Sequence, residues 1–142
     1  MTPADIHAAI NAGHVYRREP TPRDVWQTPA EFDATGQGDC EDFAIAYWHA
    51  LRAAPGHARL MACQRADGEM HMVCLYWAAD DEGPWVLDVA ADAVCHLRDR
   101  DDLSLIFVFD AHGLYADDVM RPAGQVGRWA DVLARMARQE AA

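Results

Sequence analysis

This sequence predicts an α+β fold, with one central helix packed across an antiparallel β-sheet. Three observations carry that reading. An apolar stripe at helical spacing runs through Phe43, Tyr47, Ala50 and Leu51, widened by Ala44 and Trp48, and Pro55-Gly56 ends it. Beyond residue 56 the pattern changes to period two and short apolar runs, with Asp67-Gly68 as a tight hairpin turn. A helix followed by a meander, with no alternation of strand and helix, is the α+β order.

The elements follow in sequence. Thr2-Pro3-Ala4-Asp5 starts a first helix, with Thr as N-cap, Pro at the first helical position and an acid in the first turn. Ile6, Ala9 and Ile10 share its face, and Gly13 stops it. Residues 16–37, with Pro20, Pro22, Pro29 and Gly36 and with Gly38 directly after, read as a long irregular segment, with a turn of helix at Pro29-Ala30-Glu31-Phe32. Loops of that length in compact domains are commonly functional. The central helix begins at Asp39 to Cys40. Strands are expected over His57 to Arg65, Met70 to Ala78, Trp85 to Ala90 and Leu103 to Asp110, with residues 80–84 as a loop. A closing amphipathic helix runs from Gly124 to Ala141, burying Val126, Trp129, Val132, Leu133 and Met136.

Composition bounds the function. The chain has 142 residues, which one domain over 1–142 accommodates. Twelve basic against 23 acidic residues give a net charge of −11, a surface that repels phosphate backbones and anionic lipid. Nucleic-acid partners are therefore not expected. Residues 1–7 have no basic segment followed by an apolar one, and no apolar run reaches the roughly 20 residues of a membrane span, so the expectation is a cytoplasmic monomer without membrane insertion. Cys40, Cys63, Cys74 and Cys95 contain no C-x-x-C pair, which argues for free thiols.

One thiol differs from the rest. Cys40 follows Thr35-Gly36-Gln37-Gly38 and opens a helix, where unpaired N–H groups and the positive dipole end favour a thiolate. His71 begins the second strand and Asp88 ends the third, so an antiparallel pair brings them to one sheet edge although they are 17 residues apart. A Cys at a helix start beside a His–Asp pair is the nucleophile–base–orienter layout of thiol hydrolases. His7, His14 and His112 fall in terminal or loop regions, His49 lies on the central helix, and His96 is a rival base without so suitable a partner. His71 and Cys74, three apart in a strand, point to opposite faces and cannot share a zinc ion. The Cys40 N–H is a natural oxyanion donor, with Gln27 or Trp26 as candidates for a second; Trp26 reads equally as a core anchor.

Asp39, Glu41 and Asp42 surround the thiol. They do not form an EF-hand loop, because the sixth residue from Asp39 is Ala44 and the twelfth is Ala50. Acids in a first helical turn complement the dipole, but three carboxylates also raise a neighbouring thiol's pKa by repulsion, and a bound Ca²⁺ cancels that effect.

The stretch Trp26-Gln27-Thr28-Pro29-Ala30-Glu31-Phe32, followed by Gly38-Asp39-Cys40-Glu41-Asp42-Phe43-Ala44-Ile45-Ala46, resembles the core signature of the bacterial transglutaminase-like cysteine proteinases of LapG type. The likeness continues through His71-Met72-Val73, Val86-Leu87-Asp88 and Arg100-Asp101-Asp102-Leu103, over about residues 24–116. It implies a papain-like, transglutaminase-like fold and a cysteine protease acting on a protein or peptide substrate, with Cys40 as nucleophile, His71 as base and Asp88 as its orienter. It also implies calcium bound by the acids flanking the nucleophile, here Asp39 and Glu41 with Asp42 beside them, and a periplasmic setting. Val89 stands where the family usually has Asn after the orienting Asp. The residues leave two alternatives open: transfer of the acyl group to an amine, as in a transglutaminase or amidase, and a non-catalytic calcium- or partner-binding module on the same fold.

Overall fold

The computed structural model describes residues 1–18, 25–79, 83–116, 119–122 and 127–142. The central helix, α3 (Cys40–Leu51), follows a short helix α2 (Pro29–Thr35), and α1 (Pro3–Gly13) packs over it from the N-terminal side. The strands β3 (His57–Arg65), β4 (Met70–Trp77), β5 (Trp85–Leu87), β6 (Cys95–His96), β7 (Leu103–Phe109), β8 (Gly113–Ala116) and β9 (Val119–Pro122) form one antiparallel sheet in the order β6-β5-β4-β3-β7-β8-β9. The α+β expectation, with a central helix on an antiparallel sheet, holds. The sheet is not a simple meander, however: β7 joins the free edge of β3, which places β3 and β4 at its centre.

Local chemistry fixes the helix starts. Thr2 and Asp5 close a capping box on α1, and Thr28 and Glu31 close another on α2, each followed by Pro at the first helical position. Gly36, at φ 70°, ends α2 in the left-handed region that favours glycine. Two short strands, β1 (Val15–Tyr16) and β2 (Gln37–Gly38), pair in parallel inside the segment expected to be irregular. Residues 19–24, with Pro20 and Pro22, lie outside the described residues.

The core lies between α3 and the sheet. Phe43, Ile45, Tyr47 and Leu51 of α3 are almost fully enclosed, with Leu60, Cys74, Leu87 and Phe109 beneath them. A fully buried Leu or Phe side chain contributes about 1.5–3 kcal/mol, so this face fixes where α3 begins relative to β4. The last helix, α4 (Gly127–Ala141), adds Trp129, Val132 and Met136 to the same core, with Trp129 edge-on to Trp48 at 5.0 Å and to Phe109 at 5.4 Å. Residues 123–126, including the expected start Gly124 and Val126, lie outside the described residues, as do residues 80–82 of the expected loop. Among the described residues no helix is long and apolar enough to cross a membrane.

β5 stops at Leu87 rather than Ala90. The Asp88 carboxylate accepts the Ala90 N–H at 2.9 Å, and its carbonyl accepts the Ala91 N–H at 3.1 Å. This side-chain-to-backbone turn takes the chain out of the ladder as soon as Asp88 is placed.

Candidate active site

The nucleophile side is built around Gly38. A Cβ there would lie 2.4 Å from Asp42 Oδ2, so glycine is what lets the Asp42 carboxylate fold back over the start of α3. Asp42 then accepts from the Asp39 N–H (3.1 Å), the Gln27 N–H (2.8 Å) and the Gln27 side-chain amide (3.2 Å). The Gln27 amide also donates to the Gln37 carbonyl at 3.0 Å, and its oxygen accepts from Thr35 at 2.8 Å. Two sequence expectations change here. Both amide hydrogens of Gln27 and its main-chain N–H are engaged, so Gln27 fastens the segment before α3 and presents no free oxyanion donor. Asp42, with three of its roughly four lone-pair directions filled, is a bracket for the helix start rather than a ready cation ligand. Trp26 takes the core-anchor reading: it is buried and stacks on Phe109 at 6.1 Å.

The Trp26–Phe32 segment is latched from α4. Arg135 Nη2 donates to the Trp26 carbonyl at 2.6 Å and Nη1 to Glu31 at 3.2 Å. Gln139 donates to Glu31 at 3.0 Å and accepts from the Thr28 hydroxyl at 2.8 Å.

Cys40 occupies the first position of α3, where its N–H has no intrahelical carbonyl to bond. Its thiol is 9% exposed and donates to Glu41 Oε2 at 3.4 Å. Burial pushes the thiol well above its ordinary range; the negative charges of Glu41 and Asp39 push it further, and the Met72 backbone N–H alone works the other way. The thiol thus sits against β4 beside the residue that follows His71. Among the described residues no hydrogen bond joins Cys40 to His71. Tyr16 of β1, half exposed, stands in the field of Cys40, Asp39 and Glu41; burial and then these charges raise its phenol.

The base side is tightly bonded around Asp88. His71 Nε2 lies 2.7 Å from Asp88 Oδ1, with both residues buried. Asp88 is an anion whose pKa is lowered to about 2 by His71, Ala90 N–H and Arg100 against the opposing cost of burial. An anionic carboxylate only accepts, so Nε2 carries the proton and Nδ1 is left as the imidazole's acceptor. Arg100 Nη2 donates to Asp88 Oδ2 at 2.9 Å and to Asp102 Oδ2 at 3.0 Å, and Nε donates to Asp102 Oδ1 at 2.9 Å. His7 of α1, 4% exposed, donates through Nε2 to the Asp88 carbonyl at 2.8 Å. The rival base His96 stacks on Trp85 at 3.7 Å, at the end of β5 away from Asp88.

The structure thus brings His71 to Asp88 and sets Cys40 beside the same strand. It adds Arg100, His7 and Tyr16, which the sequence reading did not single out. Arg100 lay within a quoted motif without a role, while nothing in a helix of ordinary periodicity marked His7. Among the described residues no group of three or more His, Cys, Asp or Glu side chains is arranged to hold a metal ion.

Taken with the sheet order and the helix laid against β4, this architecture is similar to that of LapG-type cysteine proteases. Solved structures of Legionella pneumophila LapG are similar to it: an EGTA-treated form matches at a TM-score of 0.84 and 26% identity over 94% of this chain and 77% of that one. A calcium-bound form matches at 0.79 and 26% over 93% and 77%. A candidate cysteine protease from Cytophaga hutchinsonii shares the fold alone, at 0.54 and 18% identity over 75% of this chain and 35% of its own. No protein-family model and no curated protein matches the sequence.

Proposed function

We propose that this chain is a cysteine protease that hydrolyses a peptide bond through Cys40, His71 and Asp88. The observation that carries the reading is the buried 2.7 Å His71–Asp88 pair, with Nδ1 left to accept, on the strand whose next residue meets the Cys40 thiol. In this mechanism the Cys40 Sγ proton passes to His71 Nδ1 as sulfur attacks the scissile carbonyl. Asp88 fixes the tautomer and stabilises the imidazolium, which then gives its proton to the leaving amine. The Cys40 N–H at the helix start supports the oxyanion. Water attacks the thioester, His71 takes its proton, and the acid product leaves.

Calcium belongs to the same proposal. Asp39 and Glu41 suit a hard cation in oxygen chemistry and charge, and Asp42, already engaged, supports the loop that carries them. A bound ion supplies positive charge that offsets the two carboxylates now holding the thiol protonated. That the LapG structures include calcium-bound and EGTA-treated forms supports this reading.

The test is digestion of a peptide library in calcium and in EGTA, with Cys40→Ala as control. Cleavage that needs Cys40 and falls in EGTA is expected; cleavage unaffected by Cys40→Ala overturns the assignment.

A further inference from the structure

We propose that Arg100 is a positioning residue for the catalytic base: its guanidinium holds Asp88 in place and shares its charge, and so limits how strongly Asp88 stabilises protonated His71. This rests on the protease reading above. Asp88 has two carboxylate oxygens, and they face different partners. Oδ1 takes His71 at 2.7 Å and Oδ2 takes Arg100 at 2.9 Å. Arg100 does not belong to Asp88 alone, because Asp102 accepts from its Nε at 2.9 Å and from Nη2 at 3.0 Å. The result is a charge chain, His71–Asp88–Arg100–Asp102, running from a buried end to an exposed one. The backbone seats the arginine too. Its N–H bonds the Leu97 carbonyl at 2.9 Å, and its carbonyl accepts the Leu103 N–H at 3.3 Å, so a short 3-10 turn (Leu97–Asp99) and the first residue of β7 fix it from both sides.

The physics gives the chain a sign. A carboxylate that faces only a histidine lends it a full negative charge; one that also faces an arginine lends less. The other groups facing the pair do not duplicate this. His7 from α1 bonds the Asp88 carbonyl rather than its carboxylate. Tyr47 from α3 and Cys63 from β3 both sense the Asp88 charge and are held in their neutral forms by burial. Cys63 also donates to the His71 carbonyl, and Cys40 is placed at Met72. Arg100 is the only cation of the described residues bonded to the Asp88 carboxylate, and Asp102 moderates it.

Two substitutions then act in opposite directions. Arg100→Gln leaves the Asp88 carboxylate to His71 and the Ala90 N–H. The imidazolium is better stabilised, so the acid limb of kcat/KM moves to higher pH, by about half a unit to one unit, and the His71 Nε2 proton resonance moves further downfield. Loss of the anchor lowers kcat on the order of 10-fold with KM little changed. Asp102→Asn concentrates Arg100 on Asp88; the limb moves to lower pH and the resonance upfield. Arg100→Lys keeps the charge but not the fork, so the limb stays near the parent's while kcat falls. Arg98→Gln, at an exposed neighbour, is the control. The experiment is proton NMR of the folded proteins together with pH profiles of kcat and KM. Opposite displacements in Arg100→Gln and Asp102→Asn support the assignment, because damage to the loop shifts both in the same sense. If Arg100→Gln does not fold, Asp102→Asn and Arg100→Lys carry the test. Resonances and limbs indistinguishable from those of Arg98→Gln overturn it. A parent protein that cleaves no peptide removes the protease reading, while the resonance shifts still decide the role of Arg100.

Discussion

The two halves of the site are built to different standards. On the sheet side the orienting carboxylate is fully engaged: Asp88 bonds His71, Arg100 and the Ala90 N–H, and its carbonyl bonds His7. On the helix side the scaffold is equally firm, with Asp42 bracketing Gly38, Asp39 and Gln27, but the chemistry it presents is unfavourable. The thiol is buried, bonded to a carboxylate and repelled by two. One half is ready in its electrostatics, and the other is ready only in its geometry. Asp39 and Glu41 raise the Cys40 thiol, and positive charge brought to these acids would act in the opposite sense.

The largest effect tests whether the halves work together. Cys40→Ala, His71→Ala and Asp88→Asn should each lower peptide hydrolysis by about 10³-fold or more, and Cys40→Ala/His71→Ala should be little worse than either single change, because the residues act as one unit. Steady-state rates on a cleaved peptide measure this; additive losses would mean that the two halves act separately.

Calcium should correct the helix half and leave the sheet half unchanged. Brief iodoacetamide treatment with mass-spectrometric mapping should label Cys40 ahead of Cys63, Cys74 and Cys95 in millimolar CaCl₂, with the preference shrinking in EGTA. A ligand at a hundredfold excess over its Kd stabilises the folded state by about 2.7 kcal/mol, a rise of several degrees in Tm. Asp39→Ala or Glu41→Ala should remove the rise, and Mg²⁺ should give less. Identical melts in CaCl₂ and EGTA would leave the acids as partners of the helix dipole alone.

The sheet half has its own signature in acid. Asp88 titrates near 2 in the folded chain against an ordinary value of 3.8. A carboxylate depressed in this way stabilises the fold above its unfolded pKa, and that stability is lost as pH falls through the folded value. The window is therefore about pH 4 to 2, and the contribution is about 2 kcal/mol. Urea melts across that range should fall steeply for the parent and less steeply for Asp88→Asn.

The smallest effect probes the scaffold of the helix half. Gly38→Ala forces the Asp42 carboxylate aside, which should cost about 1–3 kcal/mol and slow Cys40 labelling in calcium. Unchanged stability and labelling would show that the bracket is dispensable.

The sequence made the fold legible wherever a period was long. The start of α3 and the 57–65 strand were read with their observed bounds, whereas α3 ends at Leu51, ahead of the expected stop at Pro55-Gly56. Two-residue strands such as β1, β2 and β6 left no period to detect. The His71–Asp88 contact was legible because antiparallel pairing places a strand start beside its neighbour's end. The roles of Gln27 and Asp42 were not. Both looked like free functional groups until the bend at Gly38 turned them toward each other, a contact over 15 residues that no local pattern encodes. His7 was hidden for the same reason: its partner, the Asp88 carbonyl, is 81 residues away.

The latch from α4 has a consequence for how the molecule is made. Arg135 and the Trp26 carbonyl it holds are 109 positions apart. At a synthesis rate of about 5–20 residues per second, roughly 5–20 s pass between the appearance of the Trp26–Phe32 segment and that of the side chain that secures it. A nascent chain carries Cys40, His71 and Asp88 well before it carries the latch. Fastening of the Trp26–Phe32 segment therefore comes late in translation, and a ribosome stalled before residue 135 displays Cys40 with that segment not yet latched. Emergence of Arg135, rather than of the Cys40 region, is the moment at which the latch can close.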